Sequence, residues 1–524
     1  MKKISFILIM LLAVSARAEQ PMQWLSGDFH QHTYYTDGST TFNFVMEKNM
    51  EFGLDWWANS EHGGERTQNG SNFKWDDPNV YTYNPILGNV KMSGGHQVMY
   101  RWQSLRDFVW PDILAWRNTL KNLKSNHKIF SGLEWNVPGH EHCSTAIVDN
   151  NAAAISAFEY MFDKSDSDTS RDGEVTRYGV LSKDNKNDQS SINACAWMQS
   201  QYDAGNIQNG WIVWAHVERA GTWNGSSGGY NVENFRTYND IAPDICFGFE
   251  GIPGHQPDSN RGGFGSGAVG GGTYGGAGIY IATVGGLWDA MLGEGRHFFN
   301  YASSDYHSHT NGVGGDFYPG EYQRTWVSAI DDNNDGDYDL NEIADALRSG
   351  NSWNVMGDLI NYLDFSAAQG SVVAPMGSDL QAQKGQDVTL TIKFASPLKN
   401  NNGDTPIVNH IDLIAGEITG KIDPASADYT NATNPTTQVI KTFTSADWTK
   451  DASDLNVITV KVPADKNMYY RLRGTNQGLN TPYETENGNP LADSLATQNL
   501  GLDGAAEAWA DLWFYSNPIF VYAN

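Results

Sequence analysis

Short apolar runs ending in polar residues alternate with helical stretches over the first three-fifths of this chain. The runs are WLSGDFH (24–30), LDWWANSEH (54–62), KIFSGLEW (128–135), CSTAIV (143–148), WIVWAH (211–216), ICFGFEG (245–251) and FFNYASSDYH (298–307). Helices are predicted near Phe42 to Phe52, over Tyr100 to Ser125 with a break at Pro111, over Ser191 to Ala204 and over Ile281 to Gly293. Alternation of this kind predicts an α/β fold with a parallel sheet or barrel. In such folds functional side chains gather beyond the C-terminal ends of the strands.

Three insertions interrupt the pattern: polar and aromatic Gly63 to Gly95, charged Asp163 to Gln189, which reads as a surface loop, and glycine-rich Gly262 to Gly278, a flexible segment positioned to flank a site. The pattern changes after Leu363. From 364 to 524 the apolar runs DVTLTIKF (387–394), IDLIAG (411–416), NVITVKV (456–462) and YYRLRG (469–474) are separated by Asn, Thr, Gly and Pro, which predicts a β-sandwich-like domain.

Residues 1–18 have the make-up of a secretory signal peptide: Lys2 and Lys3, an apolar run from Ile4 to Val14, then Ala16-Arg17-Ala18. The expected product is exported, periplasmic or secreted. No apolar stretch reaches the roughly 18 residues of a spanning helix, so no integral membrane association is expected. The chain of 524 residues has 61 acids against 34 bases, a net charge of −27. The leader carries three cations and no acid, so its removal deepens this to −30. Such a surface repels phosphate backbones and argues against nucleic-acid binding. Three scattered cysteines, Cys143, Cys195 and Cys246, are too few for a disulfide framework.

The strand ends carry the chemistry. The first offers His30 and His32, then Asp37; the second, Glu61 and His62; the third, Glu134, followed by His140 and His142; the fifth, His216; the seventh, Asp305 and His307. Imidazoles and carboxylates are the ligand types of zinc, manganese and iron. One His at a strand end is ordinary, but buried imidazoles and carboxylates clustered without a cation are costly, so the joint pattern predicts a metal centre.

GDFHQHTYYTDG, GLDWWANSEHGG, GLEWNVPGHEHCSTAI, WIVWAHVERAG and YASSDYH, in that order, resemble the five motifs of PHP-domain (polymerase and histidinol phosphatase) metallohydrolases. The arrangement, with a β-rich tail ending in WFYSNPIFV (513–521), is most similar to the carbaryl-hydrolase branch. The resemblance implies a distorted (β/α)7 barrel over 19–363 holding two or three divalent transition metals. It implies that His30, His32 and Asp305 serve the first metal and that Glu134 bridges the first and second. Asp37 and His62 would serve the second, and His142, His216 and His307 a third. Glu61 stands where the family has Asp, and is a further candidate ligand. His142 is favoured over His140 because it directly precedes an apolar run.

The expected activity is hydrolysis of a small phosphorylated ester by a water acidified to a pKa of about 7. His140 or His309 is the candidate proton donor and Arg219 the candidate phosphate partner. A carboxylic ester or carbamate substrate is the alternative, and a non-catalytic surface-binding protein the second. DDNNDGDYDLNE (331–342) matches a calcium loop, with Asp331, Asn333, Asp335, Asp337 and Glu342 at ligand positions and Gly336 at the turn; the plainer alternative is a polar turn whose acids cap the next helix. Trp56, Trp57, Trp75, Trp102, Trp110 and Trp223 suit either core packing or an aromatic-binding surface. Asn69, Asn224 and Asn431 begin glycosylation sequons.

Overall fold

The computed structural model describes residues 22–123, 125–225 and 228–524. The expected signal peptide lies outside the described residues, among which no helix is long and apolar enough to cross a membrane.

The first part supplies strands β1 (Met22–Asp28), β2 (Trp56–Asn59), β3 (Lys128–Asn136), β4 (His142–Val148), β5 (Asn209–Trp214), β6 (Gly248–Ile252), β7 (Phe299–Ala302), β8 (Gln323–Ile330) and β9 (Ser352–Met356). The main helices between them are α1 (Phe42–Glu51), α2 (Trp110–Asn122), α3 (Ala153–Phe162), α4 (Asp188–Asp203), α5 (Val232–Ile241), α6 (Leu287–Gly293) and α7 (Leu340–Ser349). Pro111 does not break its helix. Helical backbone runs without interruption from Arg101 to Asn122, so Pro111 lies inside it, and the ladder is irregular just before, in a π-turn over Leu105–Val109.

The sheet runs β7-β6-β5-β4-β3-β2-β1-β8-β9. β1, β2 and β3 are mutually parallel, β4 is antiparallel to both β3 and β5, and β5, β6 and β7 are again parallel. Of β1 to β7, six therefore point the same way, and their C-terminal ends share one edge with the N-terminal end of β4. The sheet curls, so that the ring of Phe29, just past β1, lies 5.1 Å from Trp56 on β2, 5.5 Å from Trp211 on β5 and 5.1 Å from Tyr301 on β7. The expected barrel closure is not present as a ladder. Among the described residues, β1 and β7 are joined beyond their ends by the isolated bridge Gln31–Tyr306.

The expected boundary at 363/364 falls inside β10 (Tyr362–Gln369), and the C-terminal part of the chain continues the first sheet instead of standing apart. The further strands are β11 (Val372–Pro375), β12 (Asp379–Ala382), β13 (Asp387–Ala395), β14 (His410–Glu417), β15 (Gln438–Thr444), β16 (Thr449–Lys450), β17 (Asn456–Pro463), β18 (Met468–Thr475), β19 (Trp513–Ser516) and β20 (Ile519–Ala523). β19 inserts between β9 and β18, extending the large sheet through β14 to β15. A second, antiparallel sheet has the order β11-β10-β13-β17-β16. Its β13 buries Val388, Leu390, Ile392 and Phe394 at alternate positions, as a strand with one wet face should. The fully buried pair Arg471–Asp289, at 2.8 Å, ties β18 to α6.

The segment 163–189 is not simply a surface loop. Asp163, Asp166 and Asp168 are buried, and Asp163 accepts hydrogen bonds from the backbone and side chain of Asn136. All three cysteines are buried free thiols.

Candidate metal centre

The shared edge of the sheet explains the placement of the site. His30 and His32 follow β1, His62 follows β2, Glu134 lies near the end of β3, His142 opens the reversed strand β4, His216 follows β5, and Asp305 and His307 follow β7. The structure brings all of them together with Asp37.

Two carboxylates organise the cluster. Glu134 faces five imidazoles: His30 at 3.3 Å, His32 at 3.2 Å, His62 at 2.7 Å, His142 at 2.8 Å and His216 at 3.3 Å. Asp305 faces His30 at 3.2 Å, His32 at 3.2 Å, His216 at 3.2 Å, His255 at 2.7 Å and His307 at 3.7 Å. Burial alone drives Glu134 upward, but His142, His62 and His30 outweigh it and hold the carboxyl well below its usual range. For Asp305 burial is likewise outweighed, by His30, His255, His216 and His307. His216 is pushed down to about 4, by burial and then by Arg219.

Four groups of side chains place their ligand atoms within 4.8 Å of one another: His30, Glu134, His216 and Asp305; His32, Asp37, His62 and His307; His62, Glu134 and His142; and His255, Asp305 and His307. The first group is completely buried, with contacts of 3.2–3.3 Å. A tetrahedron of ligands at about 2.0–2.1 Å from a cation has edges of about 3.3 Å. Nε2 of His30, Nε2 of His32, one oxygen of Glu134 and one of Asp305 are buried without a hydrogen-bond partner, a cost that a cation would remove. The residues therefore fit divalent cations. In these groups His216 stands with His30, and His32 and His307 stand with Asp37 and His62, while His32 also lies 3.2 Å from both Glu134 and Asp305.

Three residues expected at the site have other work. Glu61 accepts from the hydroxyls of Thr33 and Thr36, from the backbone N–H of Thr33 and from the Asn59 amide, so it braces the loop after β1 and joins no ligand group. His140 sits in a turn before β4, between the rings of Trp223 at 4.3 Å and Tyr230 at 4.8 Å. Its Nδ1 bonds the Gly229 carbonyl, and burial pushes its pKa down. His309 stacks on Tyr318 at 3.8 Å and pairs with Glu321 at 3.0 Å. Arg219 does reach the rim: it binds Glu141 at 2.7 Å and approaches Nδ1 of His142 at 3.4 Å.

The 331–342 loop gathers no ligand group either. Asp331 accepts from the N–H of Asp335 and Gly336. Glu342 accepts from those of Asp332 and Asp339 in a capping box at the start of α7, and Asp337 pairs with Lys128 at 2.8 Å. Its acids thus accept from backbone amides around the turn and at the start of the next helix. The tryptophans are mostly core: Trp56, Trp57, Trp75 and Trp102 are buried, and Trp110 and Trp223 are half-buried.

Sequence reasoning missed Glu250, His255 and Asp316. Glu250, on β6, lies 3.3 Å from Nδ1 of His30 and accepts from Ser144. The available signal was the sixth run, ICFGFEG (245–251), which carries Glu250 next to its end and is followed four residues later by His255.

A cavity of about 360 Å³ opens beside the cluster, lined by His62, Gly63, Glu65, Arg66, Asn136, His142 and Ser165. Arg66 reaches within 3.6 Å of Asp37. Apart from its two imidazoles, this lining has no aromatic side chain.

No protein-family profile and no curated protein matches the chain. Among solved structures it is similar to a two-domain protein containing a predicted PHP-like metal-dependent phosphoesterase from Bacteroides vulgatus, at 11% identity and a TM-score of 0.32, over 87% of this chain and 90% of that one. A likeness that slight decides neither fold nor chemistry, which rest on the side chains described above.

Proposed function

We propose that this chain is an exported, metal-dependent hydrolase of a small phosphate ester. The observation that carries the reading is the pair of buried carboxylates, Glu134 and Asp305, each faced by five imidazoles at the shared strand edge. Residues of the first three ligand groups would hold two or three divalent cations. Such cations lower the pKa of water to near 7 and offset charge developing on substrate oxygens.

The protein's own groups do the rest. Glu250 fixes the ring of His30 through Nδ1, leaving Nε2 aimed at the centre. Asp28 accepts from the His30 N–H and the Ser304 hydroxyl, pinning the loops after β1 and β7 to each other. Arg66 in the cavity wall, and Arg219 beside the cavity's His142, supply guanidinium groups matched to phosphate oxygens. That polar lining favours a phosphate ester over an aryl carboxylic ester or carbamate, which would want an apolar wall.

The test is elemental analysis of the purified protein, with turnover of aryl phosphates, esters and carbamates in zinc and manganese. Stoichiometric metal and phosphate turnover lost in Glu134→Gln are expected. Absence of bound metal, or full activity in Glu134→Gln, would refute the reading; turnover confined to carboxylic esters would redirect it to them.

A further inference from the structure

Outside the positions that the sequence motifs supply, one imidazole is built into the centre as a ligand would be. His255 lies beyond β6, at the start of the segment leading into the glycine-rich insertion. Its Nε2 is 2.7 Å from Asp305 and its Nδ1 is 2.6 Å from Asp316. Asp316 is itself fixed, accepting from the N–H of His307 and Ser308 with its other oxygen. A carboxylate on one ring nitrogen, with the other nitrogen aimed inward, is the arrangement that orients metal-bound imidazoles. The same arrangement occurs at His30 with Glu250.

The backbone is bent to achieve it. His255 has φ 54° and Asp305 φ 45°, both left-handed, as is His216 at φ 53°. Such strain persists only where the surroundings impose it, and it gathers at functional sites. Gly254 permits the approach, since a Cβ there would lie 2.3 Å from the Cβ of Asp305. Asp305 meanwhile keeps one buried oxygen without a hydrogen-bond partner.

We propose that His255, oriented by Asp316, is an additional ligand which with Asp305 and His307 holds a divalent cation at the centre. This rests on the reading of the centre as metal-binding. It adds a coordinating side chain from the sixth strand end, beside His216 and His307, which also face Asp305. The segment that delivers His255 is anchored by the C-terminal part of the chain. Arg261 binds Asp511, and Asp493 accepts from Thr273, Gly275 and Gly276.

The experiment uses the full chain, stripped of metal by a chelator and titrated with zinc against a chromophoric competitor, with cobalt absorption as a second readout. His255→Asn removes the imidazole while keeping a residue tolerant of left-handed φ. Asp316→Asn keeps the imidazole and weakens its orientation; it decides the matter if His255→Asn fails to fold. The expected result is loss of one zinc equivalent, or a loss of about tenfold or more in the weakest step, with a changed cobalt spectrum. His140→Ala should bind as the parent does. Parent-like stoichiometry, affinities and cobalt spectrum in the folded His255→Asn chain would overturn the proposal and leave the metal centre standing. A parent chain that binds neither zinc nor cobalt would overturn both.

Discussion

The guanidinium of Arg261 meets the carboxylate of Asp511 at 3.1 Å with both side chains sealed from solvent. One cation here serves several acids, because Asp493, Glu507 and Glu484 share its field. Burial, reinforced by the neighbouring acids, pushes Asp511 up to about 7 and Glu507 up to about 8 despite Arg261.

These raised values set the sign of a pH dependence. A carboxyl whose folded pKa is raised favours folding while protonated, and that contribution is lost as pH rises through the folded value. Thermal melts should therefore fall between about pH 5 and about pH 9. Glu507→Gln, neutral throughout, should melt increasingly above the parent as pH rises, with the difference smallest at the acid end. A difference that shrinks with rising pH would contradict the assignment.

Strand β19 lies between β9 and β18, with Phe514, Tyr515 and Ser516 paired to β9 and Trp513, Phe514 and Tyr515 to β18. Deleting 513–524 would expose both neighbours as unpaired edges and strip the core of Trp513, Phe514, Ile519 and Phe520. The truncated chain should melt well below the parent or aggregate, as followed by circular dichroism and sedimentation. A parent-like melt would contradict the continuous sheet.

His140 and His309 belong to no ligand group, so His140→Ala and His309→Ala should keep kcat within about an order of magnitude of the parent. His140→Ala should still lower the melting temperature, because it empties a slot between Trp223 and Tyr230. Steady-state kinetics beside thermal melts separate the two effects. A collapse of kcat in either variant would return that histidine to the chemistry.

Arg66 lines the cavity and has a buried Nε without a hydrogen-bond partner. Arg66→Ala should raise KM for an aryl phosphate by about tenfold or more, the worth of a charge-assisted hydrogen bond. It should change KM for a neutral ester little. Equal effects on both substrates would argue against phosphate recognition by this residue.

By itself the sequence determined the seven strands with an end at the site and the residue types at those ends, but not β8, β9, α3 or α5, which it left unmarked. Runs 387–394, 411–416, 456–462 and 469–474 lie within β13, β14, β17 and β18, because alternation along a strand is local and sets which face is buried. His30, His32, His62, Glu134, His142, His216, Asp305 and His307 were legible for the same reason: each lies at or just beyond the end of a run, or opens one. The tertiary structure alone decided which side chains share a carboxylate, since β-ladder order and the reversal of β4 are non-local. It turned His140 into an aromatic slot and Glu61 toward hydroxyls, although their near neighbours His142 and His62 face the cluster. It brought His255 and Asp316, 61 residues apart, into contact. It also merged the expected tail domain with the first sheet, because β19 finds its hydrogen-bonding partners on both sides only where the two parts meet.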